Sequence, residues 1–120
     1  MNTMYAREDY LGADEYVDVV RKSGLNRPVE DRGRVERMLA HANLILTARQ
    51  DGRLVGFARS LTDFSFCCYL SDLAVDKACQ GQGIGKRLIE ETRTAAGGTL
   101  TTTLLLSAPT AMTYYQGIKM

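Results

Sequence analysis

The sequence predicts a mixed α/β fold, and three observations lead to it. Two amphipathic helical patterns occupy the first third of the chain, and an Asp51-Gly52 pair between two apolar runs then signals a β-hairpin. Between Tyr69 and Glu91, an apolar strand is followed by a glycine-rich turn and another helical pattern. We therefore expect, in order, one strand, two helices, three antiparallel strands, a helix, a strand and a last helix.

The N-terminal elements are predicted from spacing and charge. Met4–Arg7 is predicted as a short first strand. Apolar residues then recur at helical spacing from Ala13 to Val20, with acidic side chains in the first turn and basic ones in the last, which suits the helix dipole. Ser23-Gly24 ends this helix, and a second amphipathic helix begins near Asp31.

The middle of the chain is predicted as a hairpin and a central strand. Leu44–Gln50 and Arg53–Arg59 flank the Asp-Gly pair, whose residues suit the positive φ angles of a two-residue turn. Leu61–Ser65 is predicted as a connection, and the central strand runs from about Phe66 to Val75.

The C-terminal part of the chain is predicted as a helix, a strand and a last helix. A helix is predicted over Gly83–Ala96, where two further glycines end it. Leu100–Ser107 is rich in threonine and leucine and is predicted as a buried strand. Pro109 then starts the last helix, in which apolar residues lie on one face.

The turn between the central strand and the third helix has the features of an anion site. Free backbone N–H groups point outward at a helix N-terminus, and the helix dipole adds a partial positive charge there. Gly83 and Gly85 carry no Cβ atom, so a phosphate could approach the backbone closely. A tight connection alone would not require three alternating glycines flanked by polar and basic side chains.

The spacing separates three kinds of phosphate loop. A Walker A loop needs a hydroxyl residue after its lysine, but Lys86 is followed by Arg87. A dinucleotide fingerprint needs Gly-x-Gly-x-x-Gly, and the glycines here alternate instead. The pattern that fits is Gln/Arg-x-x-Gly-x-Gly, formed by Gln80, Gly83 and Gly85.

With Leu73-Ala74-Val75-Asp76 just before it, this pattern resembles the GNAT superfamily of N-acetyltransferases, whose pyrophosphate loop for acetyl-coenzyme A has that form. The resemblance spans nearly the whole of residues 1–120 and implies one domain. It implies a mostly antiparallel mixed sheet that splays at its central strands, with helices on both faces. It also implies cofactor contacts at Leu73, Ala74, Val75, Gln80, Gly81, Gln82, Gly83, Ile84, Gly85 and Lys86.

Two further residues are candidates for the chemistry. Tyr115 stands where the family has the tyrosine that protonates the departing thiolate, although Lys119 and Met120 replace the glycine and aromatic residue that normally follow. The alternative for Tyr115 is a helix residue whose hydroxyl faces water. Asp72 is the nearest carboxylate to the splayed strand, where it either takes the amine proton or anchors the strand.

The family normally continues with two more strands, whereas this sequence stops at Met120. An uncovered strand edge after Leu100–Ser107 would invite pairing with a second chain, so a homodimer is expected.

Bulk composition excludes several classes of function. A net charge of +1 gives no general attraction to nucleic acid or to anionic membranes. No apolar run approaches the ~20 residues that span a bilayer. The three cysteines and the single His41 lack metal-ligand spacing, so no metal is expected, and free thiols favour a cytoplasmic location.

The predicted function is transfer of an acetyl group from acetyl-coenzyme A to a primary amine of a small molecule or peptide. The alternative is a degenerate member that binds acyl-coenzyme A as a sensor and regulates a partner. The connection between the first two helices has no charge bias, since Arg27 is balanced by Glu30 and Asp31, so it selects no class of amine.

Overall fold

The fold is a five-stranded mixed sheet with helices on both faces, seen in a computed structural model that describes residues 2–105. The strands lie in the order β1-β2-β3-β4-β5, with the first four antiparallel and β5 parallel to β4. The elements are β1 Met4–Arg7, α1 Ala13–Ser23, α2 Arg32–His41, β2 Leu44–Gln50, β3 Arg53–Thr62, β4 Cys67–Val75, α3 Ile84–Ala95 and β5 Thr102–Leu105. The helix predicted from Pro109 and the end of the last predicted strand lie outside the described residues.

Two apolar layers hold the helices to the sheet. On one face, α3 buries Ile84, Leu88 and Ile89 against β2, β3 and β4. On the other face, α1 and α2 bury a second cluster, in which the rings of Tyr16 and Phe57 lie 4.9 Å apart. The sequence prediction of helices on both faces is confirmed.

The hairpin between β2 and β3 has the predicted two-residue turn, with φ of 52° at Asp51 and 80° at Gly52. However, β3 runs to Thr62, so the prediction of a connection from residue 61 is wrong. The reason lies in Asp63, whose carboxylate oxygen accepts the N–H groups of Ser65, Phe66 and Cys67. This closes the chain into a tight turn and lets two more residue pairs join the ladder.

The last described strand starts later than predicted. Leu100 belongs to a short 3₁₀ turn, Gly98–Leu100, and β5 begins only at Thr102. Gly97 and Gly98 both have positive φ angles, of 121° and 62°, which direct the chain through this extra turn before it becomes extended.

A β-bulge in β4 sets which side chains face which helices. Asp72 pairs with Arg59 and Leu70 pairs with Ser60, which leaves Ser71 as an extra residue in the strand. The alternation of faces is therefore shifted at Ser71. Leu70 packs in the α3 cluster, whereas Asp72 reaches Tyr16 on the α1 side.

Candidate functional site

The glycine-rich loop begins directly after β4. Asp76 accepts the N–H of Ala78 and so caps a short 3₁₀ turn, Lys77–Cys79, that leads into it. The chain then passes through Gly81 at φ 86° and Gly83 at φ 78°, and α3 starts at the next residue. A Cβ atom placed on either glycine would meet nothing within 4 Å. The sequence folds this way locally because left-handed positions favour glycine.

The loop presents a row of free donors. The first bond of the helix runs from the Arg87 N–H to the Gly83 carbonyl, and none of the backbone N–H groups from Gly81 to Lys86 bonds to a described carbonyl. These are the unpaired donors of a helix N-terminus, reinforced by the positive end of the dipole of α3. The arrangement can therefore hold an anion such as a diphosphate.

Two glutamine side chains tie the loop to the sheet. Gln80 Nε2 donates to the Val75 carbonyl at 3.0 Å, which links the loop to the end of β4. Gln50 Nε2 donates to Gln82 Oε1 at 3.2 Å from the end of β2, where Gln50 is buried. The sequence offers no signal for the Gln50 contact, because it joins residues 32 positions apart.

The two basic residues at the head of α3 lie in different environments. Arg87 donates to Glu91 at 2.8 Å and lies 4.5 Å from the centroid of the Tyr5 ring, so it is held on the helix surface. Lys86 is exposed and forms no ion pair with the described residues. Of the two, Lys86 is therefore the more available to an anion in the loop.

The two edges of β4 are described over different lengths. Its pairing with β3 continues to Val75, opposite Gly56, whereas pairing with β5 is described only up to Leu70, opposite Leu105. The residues Leu73 and Val75 are half-buried and face α3. The predicted splay concerns residues beyond 105 as well, and it stays a prediction.

Asp72 lies at the centre of a buried ion-pair network. It is 0% exposed and accepts hydrogen bonds from Arg59 Nε at 2.5 Å, Arg27 Nε at 2.6 Å and the Tyr16 hydroxyl at 2.8 Å. Burial alone would raise the pKa of the carboxyl, but the hydrogen bonds and charge of the arginines lower it below its usual value. Burial, and then the charge of Asp72, raise the pKa of Tyr16. Asp72 is therefore a paired carboxylate.

The family follows from comparison with known proteins. A family model described as an acetyltransferase (GNAT) domain matches residues 18–118. The chain belongs to the GNAT acetyltransferase family. The match covers the strand, loop and helix that carry the site described above.

Solved structures share the GNAT fold of this chain. A probable acetyltransferase from meticillin-resistant Staphylococcus aureus superposes with a TM-score of 0.82 at 20% identity, covering 97% of this chain and 87% of that one. A GNAT-family acetyltransferase from Streptococcus pneumoniae gives 0.77 at 18% identity, covering 98% and 86%. An N-acetyltransferase from Thermoplasma acidophilum, solved in complex with coenzyme A, gives 0.74 at 16%, covering 98% and 88%.

The matches to relatives found by sequence cover a smaller share of those proteins. A chloroplastic GCN5-related N-acetyltransferase from Arabidopsis thaliana is 42% identical over 43 residues, which is 36% of this chain and 17% of that protein. An uncharacterized N-acetyltransferase from Porphyra purpurea is 31% identical over 100 residues, covering 77% and 54%. The GNAT chain thus spans about half or less of these relatives.

One cavity of about 330 Å³ lies between α2 and the start of α1 in this GNAT chain. It lies at the opposite end of α1 from Ser23–Pro28, the connection that the sequence predicts as part of an acceptor groove. Its lining residues are Asp9, Tyr10, Leu11, Ala13, Arg32, Glu36, Leu39 and Ala40.

Tyr115 lies outside the described residues, so its role in this GNAT protein stays a prediction. Over residues 2–105, no cluster of histidine, cysteine or acidic side chains is arranged to hold a metal ion. No helix in the same range is long and apolar enough to cross a membrane.

Sequence reasoning missed Arg59 and Arg27 as parts of the site. A signal existed for Arg59, because it stands in an otherwise apolar strand, and a charged residue there requires a buried partner. Arg27 gave none, since it lies in a connection where charged residues are usually exposed. The structure uses Arg27 to bind Asp72, so its charge does not balance Glu30 and Asp31 as the sequence suggested.

Proposed function

We propose that this GNAT protein transfers an acetyl group from acetyl-coenzyme A to a primary amine, by direct attack of the amine in a ternary complex. The observation that carries this proposal is the row of amides from Gly81 to Lys86, which lies at the head of α3 just after β4. Within residues 2–105 none of these amides bonds to a backbone carbonyl. The amine belongs to a small molecule or a peptide.

The residues of the loop and of β4 fit acetyl-coenzyme A in two ways. The amides of Gly81–Lys86 would bind its diphosphate, and the two glycines without neighbours at the Cβ position leave room for it. The backbone of Leu73–Val75 would pair with the pantetheine arm as an added strand would. Bound in this way, the cofactor supplies an activated acetyl thioester.

Three groups of the chain would act on the transfer. An N–H near Leu73 or Ala74 would donate to the thioester oxygen as negative charge develops, and one such donor is worth about 3 kcal/mol of barrier. Tyr115 would give a proton to the departing thiolate. Asp72 would act as an anchor of β4, because two arginines and a tyrosine already occupy its oxygens.

The pairing of Asp72 also favours one alternative. If no carboxylate is available as a base, the chain would bind acyl-coenzyme A without acetylating an amine and would act as a sensor that regulates a partner protein. The two functions share the cofactor site and differ only in turnover.

Calorimetric titration with acetyl-coenzyme A, followed by an amine screen that measures released thiol, tests both functions. We expect saturable binding and thiol release with at least one class of amine. Binding without release from any amine would support the sensor. Absence of binding would refute both, and ADP serves as a control for affinity that comes from the nucleotide alone.

A homodimer and a cytoplasmic location complete the proposal. Leu104 on the last described strand is 53% exposed, and Leu100 just before it is 75% exposed, so both offer apolar surface that a second copy would bury. All three cysteines are free thiols, as is usual in a reducing compartment. Light scattering at micromolar concentration tests the dimer, and a monomeric mass would contradict it.

A further inference from the structure

Arg27 joins the connection between α1 and α2 to the central strand. Its Nε donates to Asp72 Oδ1 at 2.6 Å, and its Nη2 donates to the Ser71 carbonyl at 2.7 Å. Its Nη1 donates to the Asn26 carbonyl at 2.6 Å, within the connection itself. One guanidinium therefore fixes three points, two of them on β4. The planar fork of arginine allows this, whereas a lysine ammonium is a single point charge.

The charges at this place are not balanced. Two guanidiniums share one carboxylate, with side-chain exposures of 26% for Arg27, 8% for Arg59 and 0% for Asp72. Arg59 also donates to the Ser71 hydroxyl and to the Met38 carbonyl, so it forms the buried part of the network. Removing Arg27 would leave Asp72 paired with Arg59, and the core would keep its buried ion pair.

The contact with Ser71 falls on the bulge of β4. A bulged residue has no partner in the ladder, so its backbone is held less firmly than that of its neighbours. Arg27 holds the carbonyl of Ser71, and Arg59 holds its hydroxyl. Leu73, whose N–H is proposed to polarise the thioester, comes two residues later. A small shift of the bulge would therefore move the donor that acts on the acetyl group.

We propose that Arg27 is a positioning residue for acetyl transfer, which clamps the connection between α1 and α2 to the bulge at Ser71. The clamp sets the position of the Leu73 amide and the acceptor side of the site at the same time. This inference rests on the proposed function. It concerns the chemical step and the amine, since the diphosphate loop is held separately by Gln80 and Gln50.

Three variants test the clamp. Arg27→Gln removes the charge and the fork, and Arg27→Lys keeps the charge but loses the fork. Arg37→Gln is the matched control, because Arg37 is exposed on α2 and forms no ion pair with the described residues. Each variant is measured for kcat and KM toward the amine, for affinity toward coenzyme A by calorimetry, and for amide hydrogen exchange by mass spectrometry.

We expect both Arg27 variants to lower kcat/KM for the amine at least tenfold, with a clearly smaller loss of affinity for coenzyme A, because the diphosphate loop keeps its own contacts. Amide exchange should become faster in segments 25–29 and 71–73 and stay unchanged around the loop at 81–86. The control should match wild type in every measurement. If Arg27→Lys is as active as wild type, the positive charge of residue 27 and not the clamp supports activity, and the proposal is overturned.

Two other results also overturn the proposal. One is unchanged kinetics in Arg27→Gln beside a lower melting temperature, which would make Arg27 a structural residue only. The other is unchanged exchange at 71–73. Exchange is measured without turnover, so failure of the clamp is distinguishable from failure of the proposed function, which would show as no thiol release from wild type.

Discussion

Gly83 and Gly85 differ in backbone conformation although they stand two residues apart in the same loop. Gly83 has a φ of 78°, whereas Gly85 lies in the first turn of α3 without a positive φ. A Cβ atom on Gly85 would lie 3.7 Å from Val75 Cγ2, which is ordinary van der Waals contact. The two glycines therefore provide a matched pair of substitutions.

Gly83→Ala should weaken binding of coenzyme A about tenfold, because a left-handed alanine costs about 1 kcal/mol and the loop would turn its amides away. Gly85→Ala should weaken binding less than Gly83→Ala, because its backbone is already helical, and it should raise the free energy of unfolding slightly, since alanine favours a helix. Calorimetry and urea denaturation measure both effects. Equal loss of affinity in the two variants would contradict this account of the loop.

Tyr115→Phe removes the hydroxyl that is proposed to protonate the thiolate. We expect turnover to fall by up to about 10²-fold with unchanged affinity for acetyl-coenzyme A, which is the range for loss of one general acid. Steady-state release of thiol with a reactive amine measures the effect, and Tyr114→Phe is the neighbouring control. Unchanged turnover in Tyr115→Phe would remove this residue from the mechanism.

At the scale of whole elements, the sequence predicts those whose signals are local. The turn at Asp51-Gly52 and the start of α2 after Asp31 were predictable because a turn residue and a capping residue act on their own neighbours. The end of β3 at Thr62 was not, because it depends on Asp63 closing a turn that also pairs with β4. The network at Asp72 was not predictable either, because it joins four separate segments of the chain.

The packing of α3 on the sheet depends on one residue of β3. A Cβ atom on Gly56 would lie 3.1 Å from the Ala74 carbonyl oxygen and 3.3 Å from atoms of both Ile84 and Leu88. The carbonyl is backbone and cannot move aside as a side-chain tip would. The close approach of α3 to the sheet, which places the amides of the loop, therefore requires glycine at this position.

Gly56→Ala should lower the free energy of unfolding by about 1–3 kcal/mol, as overpacking of a core does. It should also weaken binding of coenzyme A, because the head of α3 moves. Gly12→Ala is the control, since nothing lies within 4 Å of its Cβ position and its φ is −69°. Urea denaturation and calorimetry measure the pair. A Gly56 variant as stable as the control would show that the helix has room to adjust.

At the scale of the whole molecule, stability should depend on acid pH through carboxylates whose pKa the fold lowers, Asp63 and Asp72 among them. Three backbone N–H groups, from Phe66, Ser65 and Cys67, lower the pKa of Asp63 from 3.8 to about 2. The pKa of Asp72 is also lowered, because its bonds to arginine outweigh the effect of burial. The unfolded chain therefore binds more protons than the folded one as pH falls below about 4.

The free energy of unfolding should thus be highest above pH 4 and should fall between about pH 4 and pH 2, as Asp63 becomes protonated. Urea midpoints measured at intervals across this range test the sign. Asp63→Asn should flatten the dependence. A stability that rises on acidification would contradict both assignments.

The extra residue at Ser71 changes which residues of β4 face α3. Before it, even-numbered residues face α3, and after it the odd-numbered ones do. If the same residues, Ser71 included, ran through the strand without the bulge, strict alternation would exchange the sides of Asp72 and Leu73. A carboxylate would then stand among the aliphatic side chains under α3, and a leucine would face two unpaired guanidiniums. The bulge therefore keeps the carboxylate beside its arginines and out of the aliphatic layer under α3.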